Sequence, residues 1–216
     1  MAKPYNRNRK ESWWNKKNII SLFIVVIMIS SLLALWEGSS NDAGKYGDYK
    51  FTMEGNGMYS TEINDEKVYF FSLPDQISGI DMAEDISEEL KYADRLYFLF
   101  NPKDENIEVI EVLRRSFAED EFPLLGKNMF FGVNEYDETY SSLPVYNCEN
   151  ATMTTILMET SDDVGIYRDG GCIVLSAKDS RDLFYVRDRL LFDLFEVIEW
   201  LRNKQSNFIY WLELYY

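Results

Sequence analysis

Residues 19–36 (IISLFIVVIMISSLLALW) form an uninterrupted run of eighteen without charge, glycine or proline. As a helix this run spans roughly 27 Å, close to the ~30 Å of a hydrocarbon core. Twelve of its residues are Leu, Ile, Val or Phe, which favours insertion into lipid by roughly 4 to 7 kcal/mol before its serines are counted. Ser21, Ser30 and Ser31 do not share a helix face, so the pattern is that of a spanning helix, not an amphipathic surface helix. Trp13, Trp14 and Trp36 bracket the run where interfacial aromatics belong. Ser30 and Ala34 make one small-xxx-small pair, a pattern common by chance.

After the run the periodicity changes. Residues 37–47 (EGSSNDAGKYG) are small and polar and read as a linker. Alternating segments at 49–53, 58–63 and 67–73, separated by Gly55-Asn56-Gly57 and Asn64-Asp65, predict an antiparallel meander. Met82, Ile86 and Leu90 recur every four residues and predict a helix over 81–93. Residues 95–100 (RLYFLF) and 128–133 (NMFFGV) are short apolar runs, the pattern of strands covered on both faces. A helix over 104–117 lies between them. Strand, helix and strand in that order predict a βαβ unit and hence some parallel pairing. Further strands are expected at 145–148, 154–159, 165–168 and 172–177, the last two joined by an Asp169-Gly170-Gly171 turn. The broad apolar stripe over 180–202 predicts a closing helix buried against a sheet.

The fold class expected is therefore α/β (or α+β): an N-terminal transmembrane helix, then one mixed-sheet domain with about three helices. Its segments are a basic stretch at 1–18, the span at 19–36, the linker at 37–47, the domain at 48–204 and an aromatic tail at 205–216.

Charge gives this organisation a direction. Six basic residues and one acid lie in 1–18, leaving 16 of the 22 basic and 36 of the 37 acidic residues beyond position 36, a net charge of −20. The positive-inside rule places the basic end in the cytoplasm and the domain outside it. A domain so acidic repels phosphate backbones, which argues against nucleic acid as a partner. A cleaved signal peptide is the competing reading. The run exceeds the usual ~7–15 apolar residues, and Ala34-Leu35-Trp36 puts a bulky side chain where a cleavage site needs a small one.

Little in the sequence points to chemistry. The chain has no histidine, which removes Ser-His and Cys-His pairs, histidine bases and most zinc sites. Neither a P-loop nor a dinucleotide fingerprint is present, and no cofactor is expected. Asp104/Glu105, Asp162-Asp163 and Asp179/Asp182 are acid clusters of the kind a solvated acidic surface carries. Cys148 and Cys172 both fall beyond the apolar run, where a disulfide persists if the topology holds. Two buried free thiols, or redox use of one, are the alternatives. Asn150 heads the sequon Asn-Ala-Thr and is a candidate glycosylation acceptor in an outer domain.

Residues 208–216 (FIYWLELYY) are aromatic or aliphatic apart from Glu213. One reading is an extra strand or helix packed on the domain. The other is a segment that binds a partner or the membrane interface, through Phe208, Tyr210, Trp211, Leu214 and Tyr215.

Three stretches, 144–152 (PVYNCENAT), 171–175 (GCIVL) and 188–191 (DRLL), together resemble a group of uncharacterised archaeal single-pass membrane proteins with a two-Cys α/β domain outside the cytoplasm. The resemblance implies a Cys148–Cys172 bridge and an external domain, and implies no activity. The aromatic tail departs from that pattern. The resulting expectation is an anchored outer domain, partnered by the lipid bilayer and by a protein at its tail. Its role is interaction or envelope structure more than catalysis. A cell-surface hydrolase using carboxylates, or a pilin-like or surface-layer subunit, is the alternative.

Overall fold

The computed structural model describes residues 20–29, 41–83 and 85–198, and the chain divides into two units, Met1–Asn41 and Asp42–Tyr216. In the first, residues 20–29 form a helix, α1, with every side chain exposed. Most of the expected span 19–36 lies outside the described residues, as do the basic stretch at 1–18 and the tail at 205–216. Among the described residues no helix is long and apolar enough to cross a membrane.

The second unit is α/β, but it holds two sheets where one was expected. Strands β1 (Asp42–Tyr46), β2 (Tyr49–Met53), β3 (Tyr59–Ile63) and β4 (Glu66–Phe70) make an antiparallel meander in that order. The sequence boundary at 48 was too late: β1 occupies part of the presumed linker. Gly44 and a register shift between Asp42 and Gly44 obscure its alternation, yet Tyr46 sets its ring edge-on to Phe51 at 5.5 Å. The β3–β4 turn is the expected Asn64-Asp65 pair, both at positive φ (53° and 66°). That geometry matches the right-handed twist of the two strands.

The other sheet has the order β6-β5-β7-β9-β8, from β5 (Arg95–Phe100), β6 (Asn128–Val133), β7 (Thr155–Thr160), β8 (Gly165–Asp169) and β9 (Cys172–Ala177). The β5–β6, β5–β7 and β7–β9 pairs are parallel, and β8 closes against β9 as an antiparallel hairpin. The expected βαβ unit is present as β5, α3 (Ile107–Ser116) and β6. Helix α2 (Asp85–Tyr92) is shorter than 81–93 because the chain before it does other work. Met82 bridges Ile166, and the Ile166 N–H donates to the Asp81 carbonyl at 2.9 Å. Residues 81–83 thus lie along the outer edge of β8.

Helix α5 (Ser180–Leu194) begins at Asp179, whose side chain accepts from the N–H groups of Arg181 and Asp182, satisfying two orphan donors of the first turn. On one side α5 lies against β9. On the other, Phe192 stacks on Phe70 at 4.5 Å and meets Phe51 edge-on at 5.9 Å. A helix caught between two sheets needs apolar side chains on two of its faces. This accounts for a stripe too broad for a helix buried on one side only.

Period-two alternation divides the five-stranded sheet. Leu96, Phe98 and Phe100 join the core beneath the helices. Leu99, Leu157, Val174 and Cys172 form a smaller cluster on the opposite face. That face is covered by a loop from 134–154, not by helices. The strand expected at 145–148 reduces to a single bridge, Val133 with Val145, followed by a 3₁₀ turn Cys148–Asn150. The bond from Gly171 N–H to the Cys148 carbonyl ties this segment to the β8–β9 turn, which draws it across the sheet instead of along β6. Strand β6 is also not buried on both faces, since Phe130 is 42% exposed.

Candidate functional site

A cleft of about 740 Å³ opens between the β2–β4 side of the meander and the segment after α3, with Glu54, Met58, Lys67, Tyr69, Glu119 and Arg187 among its walls. Helix α3 does not simply end there. It runs into a π-helical turn, Phe117–Glu121, and then a short α4 (Phe122–Leu124). Pro123 supplies a reason. In an uninterrupted α-helix its ring collides with the carbonyl four residues back. Here the Phe122 N–H instead reaches five residues back, to the Phe117 carbonyl. The inserted residue keeps Phe117 and Phe122 in the core and turns Glu121 inward, where it is 2% exposed.

Beneath the cleft Glu121 meets α5. Arg187 binds Glu121 Oε1 through Nη2, and donates through Nη1 to the Tyr69 carbonyl at 3.0 Å and to Asp188 Oδ1 at 2.6 Å. Its guanidinium lies against the rings of Phe70 and Phe71. Asp188 Oδ2 accepts from the N–H groups of Phe71 and Ser72 and from Ser72 Oγ, at 2.6 to 2.9 Å. Ser116 Oγ donates to Glu121 Oε1 at 2.7 Å. Burial pushes the Asp188 carboxyl up from its ordinary value, opposed by the Arg187 charge and these donors. Glu121 Oε2 and Arg187 Nε are buried and have no hydrogen-bond partner among the described residues.

The rim is acidic. Glu54, Glu66, Glu119 and Asp120 line it against Lys67, which pairs with Glu54 at 2.6 Å. That pairing, helped by Ser60, holds the Glu54 carboxyl below its usual range and raises Lys67. With Arg187 committed to Glu121 and Asp188, the rim presents uncompensated negative charge to an occupant.

Both hydroxyls of the network donate to carboxylates that Arg187 also binds, Ser72 to Asp188 and Ser116 to Glu121. Among the described residues no group of three or more acidic or thiol side chains is placed to hold a metal ion.

Of the residues singled out from sequence, Cys148 and Cys172 are joined in a disulfide, with Cα atoms 5.1 Å apart. Asn150 ends the 3₁₀ turn that carries Cys148. Phe208, Tyr210, Trp211, Leu214 and Tyr215 lie outside the described residues. Asp104 is a strap: its carboxylate accepts from Thr160 N–H, Thr160 Oγ1 and Asn106 N–H. Asp179 is the cap of α5. The Glu121–Arg187–Asp188 network escaped the sequence reading. Its trace was a charged run, Arg187-Asp188-Arg189, set between Val186 and Leu190 on a helix with a broad apolar stripe.

Searches against known protein families, curated proteins and solved structures find no match to this chain.

Proposed function

We propose that this is a single-pass membrane protein whose acidic domain stands outside the cytoplasm and serves interaction or envelope structure, not catalysis. The observation that carries the reading is the Cys148–Cys172 disulfide in a domain preceded by eighteen uncharged residues. Disulfides form and persist in oxidising compartments. The six basic residues before the apolar run set the orientation. The site chemistry supports a binding role: the rim of the cleft selects for cationic groups through charge.

Protease added to cells whose wall has been opened tests the topology. The acidic domain should be cleaved while residues 1–18 are protected, and the membrane fraction should keep the intact protein through a carbonate wash. A domain that protease never reaches, or a protein stripped by carbonate, overturns the reading.

A further inference from the structure

Strand β4 is an edge of the meander, and the cleft lies along it. Phe71 N–H donates to Asp188, and the Tyr69 carbonyl accepts from Arg187. Residues 69 and 71 therefore turn their backbone groups away from β3. The Asn64-Asp65 turn makes Glu66 the bonded partner of Ile63, which gives the same alternation. In an antiparallel strand these directions reverse residue by residue. The N–H and C=O of Lys67 and the N–H of Tyr69 thus lie on the outer side. No strand among the described residues pairs with them. Arg187 and Asp188 close only the Tyr69–Phe71 end of this edge. Lys67 and Tyr69 line the cleft, and Tyr69 is 41% exposed. An open edge is a template for another strand.

We propose that the cleft takes an extended peptide bearing lysine or arginine, added as a strand beside β4. This rests on the reading of the cleft as a binding site for cationic groups. Main-chain pairing with Lys67 and Tyr69 supplies affinity, and the walls choose the side chains. Glu119 and Asp120, both exposed, line the side across from β4. Glu121 also lines the cleft, and its Oε2 is a buried acceptor without a partner among the described residues. Lys67 shows that an alkylammonium fits this wall: its Nζ pairs with Glu54 and lies 5.4 Å from the centre of the Tyr69 ring. The same acids repel an acidic peptide.

Hydrogen exchange and calorimetry on the full chain in detergent test this, with acetyl-Lys-Val-Lys-Val-Lys-amide as the probe and spermine as a cation that cannot form a strand. The amides of Lys67 and Tyr69 should exchange fast in the free chain and at least about tenfold slower with saturating peptide. Methylating every backbone nitrogen of the probe keeps its charge and removes its ladder donors, and should weaken binding at least about tenfold. Glu119→Gln with Asp120→Asn should also weaken it, and unchanged affinity overturns the inference by placing the peptide elsewhere. Amides already slow in the free chain overturn it too, because the edge is then occupied. If spermine binds but the peptide leaves Lys67 and Tyr69 unprotected, the strand is wrong and the cation-selective cleft stands. If neither probe binds, both readings of the cleft fall, while the protease test of topology is untouched.

Discussion

The N–H of Gly171 donates to the carbonyl of Cys148 at 2.6 Å, so backbone and sulfur together fasten the covering loop to the β8–β9 turn. A side chain has no room here. A Cβ on Gly170, at φ +55°, falls 2.8 Å from the Cys148 carbonyl oxygen, and one on Gly171 falls 2.9 Å from the Ala151 Cβ. The bridge spans a sequence separation of 24, for which the chain-entropy account gives roughly 3 kcal/mol. Reduction, or paired Cys148→Ser and Cys172→Ser substitution, should lower Tm by roughly 6 to 12 °C. Thermal unfolding with and without reductant reads the difference.

Arg187 is the counter-ion for two carboxylates it shares a buried pocket with. Arg187→Met should destabilise by about 3 to 5 kcal/mol, because Glu121 and Asp188 are left charged and buried. Adding Glu121→Gln should recover part of that loss, since one uncompensated charge is removed. Urea midpoints of the single and double variants provide the measurement. Additive effects would mean the ion pair carries no coupling.

Gly132 lets the covering loop lie directly on the sheet. A Cβ there comes 2.8 Å from Leu99 Cδ2 and 3.0 Å from both the Pro144 carbonyl oxygen and Tyr146 Cδ2. Gly132→Ala should therefore cost about 1 to 3 kcal/mol and expose Tyr146. Denaturation and tyrosine accessibility report the two effects separately.

Glu159 supplies a pH dependence. Burial, then Asp104 and Asp169, raise its carboxyl above the ordinary 4.5. A raised folded-state value means the unfolded chain loses this proton first. Its contribution is then fully favourable below pH 4.5 and declines as pH rises through the interval up to the folded value. Glu159→Gln should remove that decline, raising Tm at pH 7 relative to the parent and leaving little difference at pH 4. The opposite ordering would show that the carboxylate is stabilised by the fold.

Local order was legible where one residue type dictates one conformation. Asn64-Asp65 placed the β3–β4 turn, and the apolar runs at 95–100 and 128–133 placed β5 and β6 to the residue. Where tertiary contacts decide, the pattern misled. Gly44 hid β1, and the tie from Cys148 to Gly171 turned an expected strand into a 3₁₀ turn. The network of the cleft was hidden for the same reason. Glu121 looks like one more surface acid until a π-turn, relieved of the Pro123 clash, rotates it inward to Arg187.

By itself the sequence determined the alternation of strands and helices, the parallel unit around β5 and the two cysteines, because periodicity and residue chemistry are local properties. Only the tertiary structure decided that the meander is a separate sheet and that α5 lies between the two. It bears out the expected bridge between Cys148 and Cys172, and it alone buried Arg187 between two acids. The placing of the meander against α5 depends on which faces meet across more than a hundred residues of chain, as when Ser72 donates to Asp188, and no window of sequence carries that distance.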